Sequence, residues 1–335
     1  MEAVLVTGGA GFIGSRLVKR LLHFSDVRRV TVLDALTYAG HIENLGEAFL
    51  SPKLEFIQGS VLDGPLVDRL VREHSAIVHL AAESHVDRSF YEAGNFLATN
   101  VIGTHTLLDA ARRHGTAKVV HVSTDEVYGP VVSGAAGEDD PVRPTVPYAA
   151  SKAASDLVAL AYFRTYGVPV CVTRSANNYG PAQHPEKMIP LFVTSLLKDA
   201  KVTLHGEGEH VRDWLHVQDN CSAIELVLRD GRPGEVYNIG AGTNVTNRDL
   251  TALILKACGA DWSSVTYVPD RRANDLRYAM DWSKIRALGY RPRRDLAEGI
   301  GETVGWYRAN PGRWAPLLRN PEALMPKVEL TKVDG

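Results

Sequence analysis

Two short segments of the 335-residue chain hold side chains whose types and spacing could do chemistry. Ser123-Thr124-Asp125-Glu126-Val127-Tyr128-Gly129 sets two carboxyls side by side behind a hydroxyl, and Tyr148-Ala149-Ala150-Ser151-Lys152 sets a phenol four residues before an ammonium. On a helix, Tyr148 and Lys152 lie about one turn apart on one face. A phenol with an ordinary pKa near ~10 needs a neighbouring cation to serve as a base at neutral pH. Lys152 would supply that cation while binding a ribose, and Tyr148 would then remove an alcohol proton during hydride transfer. For Asp125 and Glu126, one carboxyl kept protonated as general acid beside one ionised as general base is the pair that elimination of water requires. Each motif also has an ordinary reading: YxxxK is commonly a surface pair, and two carboxyls leaving a strand are commonly solvated loop charges.

The context favours chemistry. Gly8-Gly9-Ala10-Gly11-Phe12-Ile13-Gly14 follows the first apolar run and opens a helix that continues through Leu22. A GxxGxxG turn of this kind lets backbone N–H groups and a helix N-terminus approach a pyrophosphate closely. About 20 residues further on, Asp34 ends the second apolar run, where a carboxylate accepts hydrogen bonds from a ribose diol and repels a 2′-phosphate. NAD is therefore expected over NADP. A capping role for Asp34 in LDALT is the competing reading.

The elements that must position these groups are legible as alternation. From Ala3 to about Arg174, the runs VLVT, VTVLD, LEFIQG, AIVHLAA, KVVHVST and VPVCVTR alternate with helical stretches. This pattern predicts an α/β fold: a Rossmann-like, doubly wound parallel sheet whose strands are buried on both faces. After Asn177 the segments NNYGPAQHPEKMIP and HGEGEHVRDW shift to Gly, Pro and charge, with helices near Met188 to Lys198 and Asp219 to Leu228. The expected organisation is a dinucleotide-binding domain over 1–176, to which later segments return, and a smaller mixed α/β lobe over 177–320 that binds substrate. Residues 321–335, without a clear period, are expected to form a loosely held tail.

Composition excludes several classes. Lys plus Arg (37) nearly balances Asp plus Glu (39), so nothing favours nucleic acid or an anionic membrane as partner. No apolar run reaches the ~18 residues of a membrane span, and the MEAVLVTGG start lacks a basic leader. Cys171, Cys221 and Cys258 show no ligand or disulfide spacing, so no metal site is expected, and they read as small residues in a reducing cytoplasm. His85 and Asp87 have no further ligand at suitable spacing and read as structural.

Read together, TGGAGFIGS, LTYAG, LAAESHVDRS, VSTDEVYG, PYAASKA, NNYGP, HPEKMIPL and VRDWLHVQD resemble, in order, the dTDP-glucose 4,6-dehydratases, within the extended short-chain dehydrogenase/reductase group. The resemblance runs to about Pro292, and STDEVYG with AAESHVDRS is its most specific part. It implies a redox-neutral cycle with tightly bound NAD: oxidation at C4 of the sugar, elimination of water across C5 and C6, and return of the hydride to C6. In that cycle Tyr148 takes the C4 hydroxyl proton, Thr124 hydrogen-bonds the C4 oxygen, Glu126 removes the C5 proton, and Asp125 protonates the departing C6 hydroxyl. The same matching places Gly8, Gly11, Phe12, Ile13, Gly14, Asp34, Leu36, Thr37, Ser60, Val61, Leu80, Ala81, Ala82, Ser84, Thr99, Tyr148, Lys152 and Asn178 around the cofactor. It places Ser84, Thr124, Asn177, Lys187, Met188, Thr203, His205, Arg212, Asn247, Arg271 and Asn274 around the nucleotide sugar; of these, Lys187, Arg212, Asn247 and Arg271 match positions that hold the nucleotide diphosphate, and two cations with an amide donor suit it.

Two segments depart from the family pattern. Ser60 stands where Asp usually meets the adenine amino group, so that end is expected to be held less firmly. Ala273 and Asn274 stand where Gly and His are usual, which bears on nucleotide and sugar preference more than on reaction type. A homodimer is implied through a four-helix interface built from the helices around 95–113 and 148–166. A sugar-nucleotide epimerase would use Tyr148 and Lys152 similarly, but the Asp125-Glu126 pair argues against it. A 4,6-dehydratase acting on a UDP-linked sugar, and a non-catalytic NAD-binding protein, are the remaining alternatives.

Overall fold

A computed structural model describes residues 2–270 and 275–319. Seven strands form one parallel sheet: β1 (Ala3–Thr7), β2 (Arg29–Asp34), β3 (Leu54–Gln58), β4 (Ala76–His79), β5 (Lys118–Thr124), β6 (Val170–Ser175) and β10 (Val236–Ile239). Their order is β3-β2-β1-β4-β5-β6-β10, so the direction of winding reverses between β1 and β4. At that switch point the connecting segments part and leave a crevice at the carboxyl ends of the strands.

Successive β1 residues face opposite cores. Val4 and Val6 pack with Leu17, Val18 and Leu21 of α1 (Phe12–Leu22) and with Ile224 and Val227 of α8 (Val217–Asp230), whereas Leu5 packs on the other side with Val67, Leu107 and Ala159. The second face is covered by α2 (Gly64–Arg72), α5 (Gly103–His114) and α6 (Pro147–Tyr166). Between α2 and α5 run two short helices, α3 (Val86–Ser89) and α4 (Ala93–Phe96), and a wide π turn at Leu97–Ile102. One expectation needs correction: LEFIQG is not buried on both faces. It forms the edge strand β3, and Glu55 and Gln58 are exposed there.

The later chain divides its allegiance. Residues 217–239 return to the large sheet through α8 and β10, while the remainder builds a separate core around Ile189, Phe192, Trp214, Leu250, Ile254 and Ile300. Its strands are β7 (Asn177–Tyr179), β8 (Val202–His205), β9 (Val211–His216), β11 (Asn244–Thr246) and β12 (Val265–Val268), in sheets β11-β9-β7 and β12-β8. Its helices are α7 (Met188–Leu196), α9 (Asn247–Cys258) and α11 (Leu296–Ala309), whereas α10 (Ser283–Ala287) packs through Ile285 on the large-sheet core beside β10. The Thr246 and Asp295 side chains accept hydrogen bonds from first-turn amides of α9 and α11, each cap contributing roughly 1 kcal/mol. Arg271, Asn274, Ala273 and the 321–335 tail lie outside the described residues.

Candidate active site

The crevice is a cavity of about 430 Å³ that runs from the β1 loop to the ends of β5 and β6 and is closed on its far side by residues 183–189. At one end, Gly8 takes φ +70°, and a Cβ there would stand 2.7 Å from the Ala81 amide nitrogen. A Cβ on Gly14 would stand 2.2 Å from the Gly8 carbonyl oxygen, so only glycine lets α1 start this close to the strand end. No side chain caps α1 at Gly11, and its first turn holds no acidic residue. The free first-turn amides of an eleven-residue helix therefore face the cavity as an anion site. Asp34 lies beside them, accepting from the Ala10 amide at 2.8 Å and the Leu36 amide at 2.9 Å. Ser60 turns its hydroxyl back to the Leu62 amide (3.1 Å) at the same end.

At the other end, β5 delivers Thr124 and then turns sharply into a single 3₁₀ turn, Asp125–Tyr128. Thr124 Oγ1 donates to Asp125 Oδ1 at 3.2 Å and accepts from the Glu126 amide at 3.3 Å, which fixes both carboxyl residues relative to the strand. Across from them, α6 opens at Pro147 and aligns Tyr148, Lys152 and Asp156 at four-residue spacing. The Tyr148 phenol hydrogen-bonds Thr124.

Electrostatics separate the two carboxyls. Burial, reinforced by the neighbouring Glu126 charge, pushes Asp125 up to about 8, so it is predominantly protonated at neutral pH. Burial also raises Glu126, but the Lys187 and Arg212 charges act to hold it down. Lys152 is pushed down to about 8 by burial, opposed by the Asp156 charge, and its ammonium donates to the Val122 carbonyl at 2.8 Å. Tyr148 is raised by burial and by Glu126 and Asp125. In the protein alone, then, the net effect on the phenol is upward, and the Lys152 ammonium is engaged by a backbone carbonyl.

Of the cofactor set read from the sequence, all but Leu36 line the cavity, including Phe12, Ile13, Thr37, Val61, Leu80, Ala82, Thr99 and Asn178. Leu36 instead holds φ +51° in the turn beyond Asp34. Of the substrate set, Ser84, Thr124, Asn177, Lys187 and Met188 line it, and Lys187 Nζ donates to the Ser84 carbonyl at 2.8 Å. Thr203, His205, Arg212 and Asn247 are not on its wall; they sit on β8, β9 and α9 of the smaller lobe. The Arg212 guanidinium donates to the Val211, Leu276 and Asp275 carbonyls and lies over the Tyr278 ring, 4.4 Å from its centre.

Sequence reasoning missed Glu83, Ser123, Gln183, His184, Glu186 and Trp214 on the wall. HPEKMIPL contained two of them, His184 and Glu186, and a Glu between Pro and Lys in a segment leaving a strand edge is an unusual place for an apolar lobe to put a charge. His85 caps α3 through the Arg88 amide (3.3 Å), in keeping with a structural role. Among the described residues no group of His, Cys, Asp or Glu is arranged to hold a metal ion, and no disulfide joins Cys171, Cys221 and Cys258.

The family model described as GDP-mannose 4,6 dehydratase matches residues 5–303. A dTDP-glucose 4,6-dehydratase of Streptomyces antibioticus is 54% identical over 324 residues, 95% of this chain and 96% of that one. The chain belongs to the dTDP-glucose 4,6-dehydratase family. Its fold is shared with the crystal structure of the Streptomyces venezuelae dTDP-glucose 4,6-dehydratase with NAD bound, at TM-score 0.91 and 54% identity over 94% of this chain and 99% of that chain. A Thermotoga maritima UDP-glucose 4-epimerase, solved with UDP-glucose, follows the same path at TM-score 0.85, but at 32% identity over 92% of this chain and 99% of that chain. Dehydratases of this family and epimerases thus share the fold.

Proposed function

We propose that this protein is an NAD-dependent dTDP-glucose 4,6-dehydratase that converts dTDP-glucose to dTDP-4-keto-6-deoxyglucose. The observation that carries the reading is the Asp125-Glu126 pair: two adjacent carboxyls at the strand end, held by Thr124 and facing Tyr148, with Asp125 pushed up to about 8. An epimerase has no step that needs a protonated carboxyl beside an ionised one.

The residues present fit NAD: an uncapped helix N-terminus for the diphosphate, Asp34 for the ribose diol, and the Lys152 ammonium on the same cavity wall as Tyr148. When bound, NAD supplies the hydride acceptor for C4 oxidation and a positive charge. Tyr148 takes the C4 hydroxyl proton, and its raised pKa in the protein alone means that the phenolate forms only with positive charge close by. Thr124, already hydrogen-bonded to Tyr148, holds the C4 oxygen. Once C4 is a ketone the C5 proton is acidic; Glu126 removes it, and Asp125, protonated at neutral pH, gives its proton to the leaving C6 hydroxyl as water. Reprotonation at C5 accompanies reduction at C6, so no external oxidant is consumed.

In this reading residues 1–176 and the returning 217–239 segment hold the dinucleotide, and the rest of 177–320 holds the nucleotide. Ser84 and Asn177 approach the sugar, and Asn177 Oδ1, buried without a hydrogen-bond partner among the described residues, is suited to a sugar hydroxyl. Lys187, Arg212, Asn247 and Arg271 remain the diphosphate set, with Arg271 and the substituted Asn274 outside the described residues. The protein works as a cytoplasmic homodimer: α5 and α6 pack together, and Leu97, Ile102, Leu157 and Tyr166 on and beside them are each more than half exposed, an apolar surface that a second copy would cover. No helix among the described residues is long and apolar enough to cross a membrane.

The test is incubation of purified protein, without added NAD, with dTDP-glucose, UDP-glucose and UDP-N-acetylglucosamine, followed by mass spectrometry. Loss of one water from dTDP-glucose is the expected result. No loss from any of the three, even with NAD supplied, overturns the reading in favour of an epimerase or another sugar nucleotide.

A further inference from the structure

Two loops that form opposite walls of the cavity are joined by side chains that the dehydration mechanism does not use. The first follows Asp34. The Leu36 amide binds the Asp34 carboxylate, and a Cβ on Gly40 would stand 2.8 Å from the same oxygen, so the 36–41 loop folds back over that carboxylate. Thr37, Ala39 and Gly40 line the cavity from this side, and Gln183, His184 and Glu186 line it from the other.

Tyr38 spans the gap. Its hydroxyl donates to Glu186 Oε1 at 3.2 Å, its ring meets the His184 ring edge-on at 5.5 Å, and the Arg88 guanidinium sits 4.0 Å from its ring centre. His41, at the end of the same loop, stacks on His184 at 6.0 Å. Burial pushes His184 down to about 4, so the two stacked imidazoles do not face each other as a pair of cations at neutral pH. The Glu186 side chain is 2% exposed, and its Oε2 has no hydrogen-bond partner among the described residues. Lys187 Nζ (3.9 Å), His184 Nδ1 (3.7 Å) and His85 Nε2 (3.8 Å) also face this carboxylate but lie beyond hydrogen-bond distance, so loss of the Tyr38 hydroxyl removes a hydrogen bond that they do not replace.

We propose that Tyr38 is the pin of a clasp between the 36–41 and 183–187 loops, a positioning residue that retains the dinucleotide from one turnover to the next. The proposal rests on the NAD-dependent reading above. In a redox-neutral cycle the dinucleotide finishes in the state in which it began, so its release is never required. A side-chain tie across its cavity therefore costs nothing in turnover. Of the residues assigned to the nucleotide diphosphate, Arg212 and Asn247 sit on β9 and α9 off the cavity wall, and Lys187 stands in the 183–187 loop itself.

The measurement is exchange. Wild-type protein, Tyr38→Phe and Tyr38→Ala are loaded with isotopically labelled NAD, and loss of label is followed against excess unlabelled NAD; thermal unfolding of each variant controls for folding. Tyr38→Phe keeps the ring contacts but loses the hydroxyl, and is expected to exchange on the order of 2- to 10-fold faster. Tyr38→Ala loses both and is expected to exchange faster still. Exchange by Tyr38→Ala at the wild-type rate overturns the clasp while leaving the dehydratase reading intact. Wild-type protein that binds no NAD at all overturns that reading and the clasp with it. Should Tyr38→Ala fail to fold, Tyr38→Phe decides alone, with unchanged exchange counting against the clasp.

Discussion

The Asn100 side chain donates to Ser151 Oγ at 2.8 Å, tying the π turn before α5 to the helix that carries Tyr148 and Lys152. The same side chain accepts from the Glu83 amide (2.9 Å) and donates to the Glu83 carbonyl (3.0 Å), so the cavity-lining loop after β4 is held to the same point. Asn100 is 1% exposed. Replacement with Ala leaves buried partners unsatisfied and is expected to cost roughly 2–4 kcal/mol of stability in urea unfolding, with a loss of kcat that exceeds any change in KM. A variant with wild-type stability and kcat would show that Asn100 does not position α6.

The proposed mechanism gives Asp125 and Glu126 distinguishable duties. With Glu126→Gln, exchange of the sugar C5 proton for solvent deuterium is expected to stop. With Asp125→Asn, that exchange is expected to persist while water loss falls by at least about 100-fold, the usual scale of a general acid. NMR of the recovered sugar nucleotide in deuterium oxide separates the two, and equal loss of C5 exchange in both variants would contradict the assignment.

The elevated Asp125 pKa is also a statement about stability. Unfolded, this carboxyl ionises near its ordinary 3.8; folded, it keeps its proton to about 8. Between those values the native state binds the extra proton, so its contribution is fully present below 3.8 and is lost as pH rises toward about 8. Asp125→Asn removes that dependence. Calorimetry at pH 7 should find the variant more stable than the parent by on the order of a few kcal/mol, and the gain should vanish near pH 4.

Activity should fall on the alkaline side for the same reason. Asp125 must be protonated to act as acid, and Lys152, pushed down to about 8, loses its charge over the same range. A kcat/KM profile for the parent is expected to decline above about pH 8. A flat profile to pH 10 would contradict it, a value roughly that of a free phenol.

Beneath Lys152, the Asp156 carboxylate accepts from Arg174 Nε at 2.9 Å, with side chains 0% and 4% exposed. Asp156→Ala strands a buried guanidinium and is expected to cost about 3–5 kcal/mol. Replacing both residues with apolar side chains should recover much of that loss in unfolding experiments; failure of the double variant to recover would mean that the pair does more than satisfy itself.

Leu157→Arg on the exposed face of α6 should convert a dimer to a monomer in sedimentation experiments, since a charge at an apolar interface centre goes unpaired. If the parent is already monomeric, the homodimer reading fails.

Much of this was legible in the chain itself. The apolar runs from VLVT to VPVCVTR required a parallel sheet because strands buried on both faces have no polar side to show, and GxxGxxG required a close helix start because nothing larger fits beside Gly8. STDEVYG and YAASK named side chains that meet on the cavity wall. Spacing could not show that LEFIQG would become an edge strand, since an edge is defined by which strand fails to arrive. Nor could it bring Glu186 across to Tyr38, 148 residues away, or Asn100 under Ser151, because those pairs share no local period. The sequence determined which chemical groups exist and which elements carry them. Tertiary structure alone decided their protonation, because burial and neighbouring charge belong to the folded arrangement and to no segment taken by itself.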